Sequence, residues 1–423
     1  MKTNAALMAR RAAALPRGVG QAHPVFAERA ENAEIWDVEG RRWIDFCAGI
    51  AVVNTGHRHP KVMAAARAQL DHFTHTCFQV VAYEGYVELC ERINQLAPGR
   101  TPKKSFLLNT GAEAVENAVK VARVATRRSG VIAFGGGFHG RSMFAKALTG
   151  KVEPYKTGFG PFPGEIYHVP FPDALHGVSE ADSLAAIERL FKWDIEPSRV
   201  AAIIIEPVQG EGGYIPAPLG FLKQLRTLCD RHGILLIVDE VQTGAGRCGK
   251  MFATEHYGVE PDIVTMAKGL GGGMTVAAVV GKADVMDAAA PGGFGSTYAG
   301  HPVAVASALA VLDVIAEEKL CERSMALGET LRARFTQLQK SIPQIADVRG
   351  LGAMTAIEFA RDGEPAADIA NNLKAEAAKR GLLLLTCGSY GNVMRIMVPL
   401  TIPDAVLAEG LDILEAALRA VLA

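Results

Sequence analysis

Three things are scarce in this chain of 423 residues: cysteine pairs, net charge and long apolar runs. Its seven cysteines are scattered and form no C-x-x-C pair. That argues against a disulfide framework or a cysteine-built zinc site, and fits reduced thiols in the cytoplasm. Forty-four basic residues nearly cancel forty-five acidic ones, leaving a net charge of -1. Such a balance argues against nucleic acid or an anionic membrane as the main partner. No apolar run approaches ~18 residues without a charge, so no membrane span is expected. The richest late stretch, Val303 to Ala316, is short, Ala-rich and broken by Asp313; it reads as a buried helix. No G-x-G-x-x-G follows a strand with an acid downstream, and no Gly-Lys-Ser/Thr closes a glycine-rich turn, so a nucleotide site is poorly supported. There is no internal repeat and no low-complexity tail. The first twenty residues hold three arginines and no acid, the composition of an organellar transit peptide.

What is present is rhythm. A chain this long exceeds the usual single-core size, so two lobes are expected. Glu34 to Phe46 reads as a hairpin about Glu39-Gly40, and Pro60 to Leu70 has helical spacing. From Phe106 short apolar runs alternate with helical segments: Phe106–Leu108, Val131–Phe134, Ala201–Ile205, Ile234–Val238, Ile263–Met266 and Ala277–Val280. That alternation predicts an α/β fold with a large, mostly parallel sheet covered by helices on both faces. Beyond Ala310 the shorter mixed strands and helices predict a smaller α+β lobe.

The stretch from Ile234 to Gly273 carries the sharpest chemistry. Its first apolar run ends on Asp239, and its second delivers Lys268 into glycine-rich chain. In open α/β sheets, ligands bind beyond the carboxyl ends of the strands. An acid to keep a ring nitrogen protonated and a lysine to form a Schiff base suit pyridoxal phosphate. Either residue alone reads equally well as a helix cap or a solvated loop lysine. Other segments add to the pair. Asn109-Thr-Gly-Ala-Glu has capping-box spacing and turns at Gly111, leaving N–H groups for a phosphate. Phe134-Gly-Gly-Gly-Phe-His-Gly-Arg offers Phe138 and His139 for stacking on an aromatic ring, and Arg141 for a carboxylate. Glu206 and Glu211 follow a buried strand in EPVQGEGG. Hydroxyls in FGSTYAGHP are within reach of a phosphate, and Arg395 interrupts the apolar VMRIMVP and needs an anionic partner.

In this order, the segments WDVEGRRWIDFCAGIAVVNTGHRHP, HTCFQVVAYE, NTGAEAVENAVK, EPVQGEGG, VDEVQTGAGR, the MAKG around Lys268 and PGGFGSTYAGHP resemble the class III, fold-type-I pyridoxal-phosphate aminotransferases. The likeness covers nearly the whole length and includes the Arg-bearing N-terminus, which weakens the transit-peptide reading in favour of a cytoplasmic protein. It implies a small lobe built from both chain ends, with boundaries at 1–59, 60–310 and 311–423. It implies Lys268 as the Schiff-base lysine and Asp239 as the acid on the pyridine nitrogen. Gly111, Ala112 and Gln242 would contact the phosphate or ring hydroxyl, and Phe138 and Val241 would sandwich the ring. Thr297 would reach the phosphate in a neighbouring subunit, so a homodimer or dimer of dimers is expected. Ile50, Arg141, Glu206, Glu211 and Arg395 would line the substrate site. The partners implied are a small-molecule amino donor and a 2-oxo acid, with no metal. The donor expected is 4-aminobutyrate with 2-oxoglutarate; 5-aminovalerate, acetylornithine and ornithine are the alternatives. Two departures stand out: Ala112 where the family commonly has Ser, and a glycine-rich run ending in Met274 after Lys268.

Overall fold

The computed structural model describes residues 2–423. Its centre is a seven-stranded sheet in the order Lys103–Leu108, Ala277–Lys282, Ile263–Met266, Leu235–Asp239, Val200–Ile205, Gly130–Phe134, Ile166–Val169. Ala277–Lys282 runs antiparallel to both neighbours. The remaining neighbours pair in parallel, as the alternating pattern predicts.

Each central strand is apolar on both faces because both faces are covered. Along Val200–Ile205, Ala202 and Ile204 join the core formed with the helix Gly111–Thr126, through Ala114, Val115, Ala118 and Val121. Ile203 and Ile205 point the other way, onto Phe221, Leu222 and Leu225 of the helix Leu219–His232 and Ile187 and Leu190 of Glu180–Trp193. This is the two-residue period of a strand, sorting neighbours to opposite layers. Each such isoleucine contributes about 1.5–3 kcal/mol on burial. The edge strand Ile166–Val169 lacks this signature. Its pattern is mixed and half-buried, so no apolar run marks it in the sequence.

The second lobe draws on both chain ends. The expected hairpin forms, Glu34–Asp37 against Arg42–Asp45, and Leu382–Leu383 then pairs in parallel with Arg42–Asp45. A second antiparallel sheet joins Ile345–Leu351, Met354–Arg361, Val393–Ile396 and Leu385–Cys387. The helix Pro302–Glu317 continues through residues 310 and 311. Its Ala304, Val305, Ala308 and Leu312 pack toward the large sheet, and its Val311, Val314 and Ile315 toward the small lobe. The two lobes share this helix. No helix among the described residues is long and apolar enough to cross a membrane.

Candidate active site

Parallel pairing at the sheet centre assembles the floor of the site. Asp239 is the last residue of its strand and stands in register with Thr265 of the next. Thr265 Oγ1 donates to Asp239 Oδ1 at 3.0 Å, and the Val241 N–H donates to the same oxygen at 3.1 Å. The other oxygen, Oδ2, meets His139 Nδ1 at 2.7 Å, with both side chains buried. Burial disfavours a charged His139, but the hydrogen bond and charge of Asp239 outweigh it and raise its pKa. Asp239 is thus held in place by three partners. His139 holds the acid, a role beyond the stacking its sequence position suggests.

Three residues beyond Thr265, Lys268 opens a single helical turn with φ +41°. A non-glycine residue in this region is uncommon and points to constraint by its surroundings. A side chain on Gly269 would meet Asn54 Nδ2 at 2.3 Å, so the chain after Lys268 is wedged in place. Burial lowers the pKa of Lys268, while Glu206, Glu211 and Asp239 act in the opposite sense.

Lys268 and Asp239 line one cavity of about 300 Å³ together with Gly111, Ala112, Phe138, His139, Glu206, Val241, Gln242 and Met274. One wall is the start of the helix Gly111–Thr126. Thr110 and Glu113 form the expected capping box. Glu113 takes the N–H groups of Asn109 and Thr110, and Thr110 Oγ1 takes that of Glu113. Gly111 and Ala112, at the first two helical positions, keep their N–H groups for the cavity, where the helix end favours an anion. A Cβ on Gly111 would sit 2.8 Å from Val241 Cγ1, so only glycine lets this turn close on Val241. Gln242 Oε1 is buried and has no hydrogen-bond partner in the protein, an acceptor awaiting a donor.

Glu206 also lines the cavity, but its oxygens already accept from the N–H groups of Phe138 (2.8 Å) and Gly210 (3.0 Å). Burial pushes its pKa up to about 7. Beside this cavity Arg395, only 5% exposed, donates to Glu211 Oε1 at 2.5 Å. Burial alone would raise the Glu211 pKa; Arg395 outweighs it and the value falls. Arg141 is exposed, with its guanidinium 5.6 Å from the centre of the Tyr155 ring. Tyr155 in turn donates to Glu211 Oε2 at 3.0 Å. Besides Arg141, Glu211 and Arg395, two more of the expected residues, Ile50 and Thr297, lie outside the cavity lining. Ile50 is 39% exposed on a turn with φ +66°, and its neighbour Val52 lines the cavity instead. Thr297 is exposed on the loop before the helix Pro302–Glu317. Sequence reasoning missed Thr265 and Tyr155. Thr265 is found only from strand register, and Tyr155 lies in an irregular loop with no periodic signal.

A half-buried lysine, an acid at the end of the neighbouring strand, two unpaired N–H groups at a helix start and an orphaned amide oxygen fit one group, pyridoxal phosphate. They define a fold-type-I enzyme dependent on that cofactor. The family model described as aminotransferase class-III matches residues 14–418, and the chain belongs to that family. It is 59% identical over 416 residues to the 5-aminovalerate aminotransferase DavT of Pseudomonas putida, covering 98% of each chain. It is 55% identical over 417 residues to the 4-aminobutyrate aminotransferase GabT of Escherichia coli, again covering 98% of each. Among solved structures, the ornithine aminotransferase of Toxoplasma gondii with partial occupancy of PLP superposes with a TM-score of 0.88 at 31% identity, covering 100% of this chain and 96% of that one.

Proposed function

We propose that this enzyme transfers the amino group of 4-aminobutyrate to 2-oxoglutarate, giving succinate semialdehyde and glutamate, in the cytoplasm and as a homodimer or dimer of dimers. The observation that carries this reading is the buried Arg395 with its counter-ion Glu211, and an exposed Arg141 that shares Tyr155 with that pair. A donor with one remote carboxylate needs one cation; glutamate and 2-oxoglutarate need two. A bare buried guanidinium is costly, so one fixed site suits both only if the second cation can be masked. Arg141 holds the remote carboxylate of either substrate. Arg395 stays on Glu211 while 4-aminobutyrate reacts, then exchanges it for the α-carboxylate.

When bound, pyridoxal phosphate supplies a carbonyl that takes the amine and a ring that withdraws the electron pair left on the donor carbon. Gly111 and Ala112 would hold its phosphate through their N–H groups, Thr297 of the neighbouring copy would add a hydroxyl, and Gln242 would accept from a ring donor. Phe138 and Val241 would flank the ring. Asp239, fixed by His139 and Thr265, would keep a proton on the ring nitrogen. Lys268, whose charged form is disfavoured by burial, carries the proton from the donor carbon at Nζ.

A second reading has a specific support. The relative at 59% identity is named for 5-aminovalerate, a donor one methylene longer. One methylene in an apolar slot shifts preference by about 10–200-fold, so kcat/KM separates the donors. Measured with 2-oxoglutarate, 4-aminobutyrate is expected to exceed 5-aminovalerate, acetylornithine and ornithine. A higher value for 5-aminovalerate overturns the choice of donor and leaves the reaction class standing.

A further inference from the structure

Glu211 has two oxygens and two different partners. Oε1 accepts from Arg395 Nη1 at 2.5 Å, and Oε2 accepts from the Tyr155 hydroxyl at 3.0 Å. Tyr155 touches the other cation as well, its ring lying under the Arg141 guanidinium, 5.6 Å from its carbon. The same ring stands 4.9 Å from that of Phe138, a residue of the cavity wall. One side chain therefore contacts the wall of the cofactor cavity, the cation assigned to the remote carboxylate, and the counter-ion of the second cation.

We infer that Tyr155 is the pivot on which Glu211 turns, a positioning residue that keeps the displaced carboxylate hydrogen-bonded while Arg395 takes the α-carboxylate of the dicarboxylate substrate. This inference rests on the exchange at Arg395 proposed above. The physical need is direct. Glu211 is largely buried, its side chain 14% exposed, and a carboxylate stripped of its only partner in such a place is strongly disfavoured. Two partners on separate oxygens remove that difficulty. Rotation about the Oε2 contact breaks the Arg395 bond and leaves the tyrosine bond made. The hydroxyl remains a donor throughout, because burial and then the Glu211 charge push its pKa up to about 12. Tyr155 lacks any repeat or motif signal because it lies in the irregular loop between the helix Met143–Leu148 and the edge strand Ile166–Val169.

The test is Tyr155→Phe, which keeps the ring against Arg141 and Phe138 and removes only the oxygen. A hydrogen bond to a charged group is worth enough to predict that the ratio of KM for 2-oxoglutarate to KM for 4-aminobutyrate rises roughly tenfold. The shift falls on KM more than on kcat. In the Glu211→Ser background the same substitution is expected to move the ratio less than twofold, because its partner is gone. Thermal melting and the visible absorbance of the bound cofactor check that each variant is folded and loaded. An unchanged ratio in Tyr155→Phe, or an equal shift with and without Glu211, overturns the pivot. Failure of the underlying exchange looks different: Arg395→Gln would then weaken both substrates alike, whatever Tyr155→Phe does.

Discussion

Replacing Glu211 by serine probes the exchange at Arg395 most directly. The Arg395 and Glu211 side chains are 6% and 14% exposed, so the pair is largely shielded from solvent. Unit charges about 4 Å apart at an effective dielectric near 20 attract by about 4 kcal/mol. Removing one partner of a buried pair typically costs about 3–5 kcal/mol. In the exchange proposed above, the α-carboxylate of glutamate gains Arg395 only by displacing Glu211, and much of the gain cancels. In Glu211→Ser nothing is displaced and the gain is kept. 4-Aminobutyrate, lacking an α-carboxylate, must instead react beside an unpaired buried cation. The ratio of kcat/KM for glutamate to that for 4-aminobutyrate should therefore rise by about two orders of magnitude, about 3 kcal/mol. Arg395→Gln should move the ratio the opposite way, and Arg141→Ala should weaken both donors. Single-turnover half-reactions, followed by the visible absorbance of the cofactor, separate the two donors cleanly. Equal losses for both donors in Glu211→Ser and in Arg395→Gln would refute the division of labour between the arginines.

Two further outcomes are expected. Lys268→Ala and Thr297→Ala should each be impaired alone, the first completely. If Thr297 serves the neighbouring copy, mixed dimers of the two carry one undamaged site, and subunit exchange should restore up to about a quarter of native activity; no recovery in demonstrably mixed dimers would show that each chain completes its own site. Glu206 has its pKa raised by burial from 4.5 to about 7, so between those values the folded cofactor-free protein binds the extra proton. Stability should fall as pH rises through that window and level off above it, by about 3 kcal/mol in total. Glu206→Gln should flatten this part of the profile in denaturant unfolding, and parallel profiles for the two proteins would contradict the assignment.

Much of this was legible from sequence because the strands that carry the site are buried on both faces. Their continuous apolar runs mark where they end, and Asp239 and Lys268 sit where the runs stop. The capping box could be read from Thr110 and Glu113 because its spacing is local. Pairing was less accessible. Thr265 supports Asp239 only through the register of two strands, and nothing in either strand announces that register. The antiparallel course of Ala277–Lys282 was hidden for the same reason, since burial looks alike in both directions. Ile166–Val169 was missed because an edge strand needs no apolar alternation. Tyr155 acts across a loop, where no period constrains the choice of residue.

The pairing of Leu382–Leu383 with Arg42–Asp45 has a consequence for how the chain comes off the ribosome. The hairpin near the N-terminus waits for a strand roughly 340 residues later, tens of seconds at about 5–20 residues per second. Every strand of the large sheet, with Asp239 and Lys268, has been made by Lys282, well before Arg395. The strands that carry Asp239 and Lys268 are therefore complete in sequence, and Arg141 and Glu211 with them, while Arg395, the partner of Glu211, is still unwritten. Nascent chains arrested between these points carry the whole cofactor wall and an N-terminal hairpin with one edge still open.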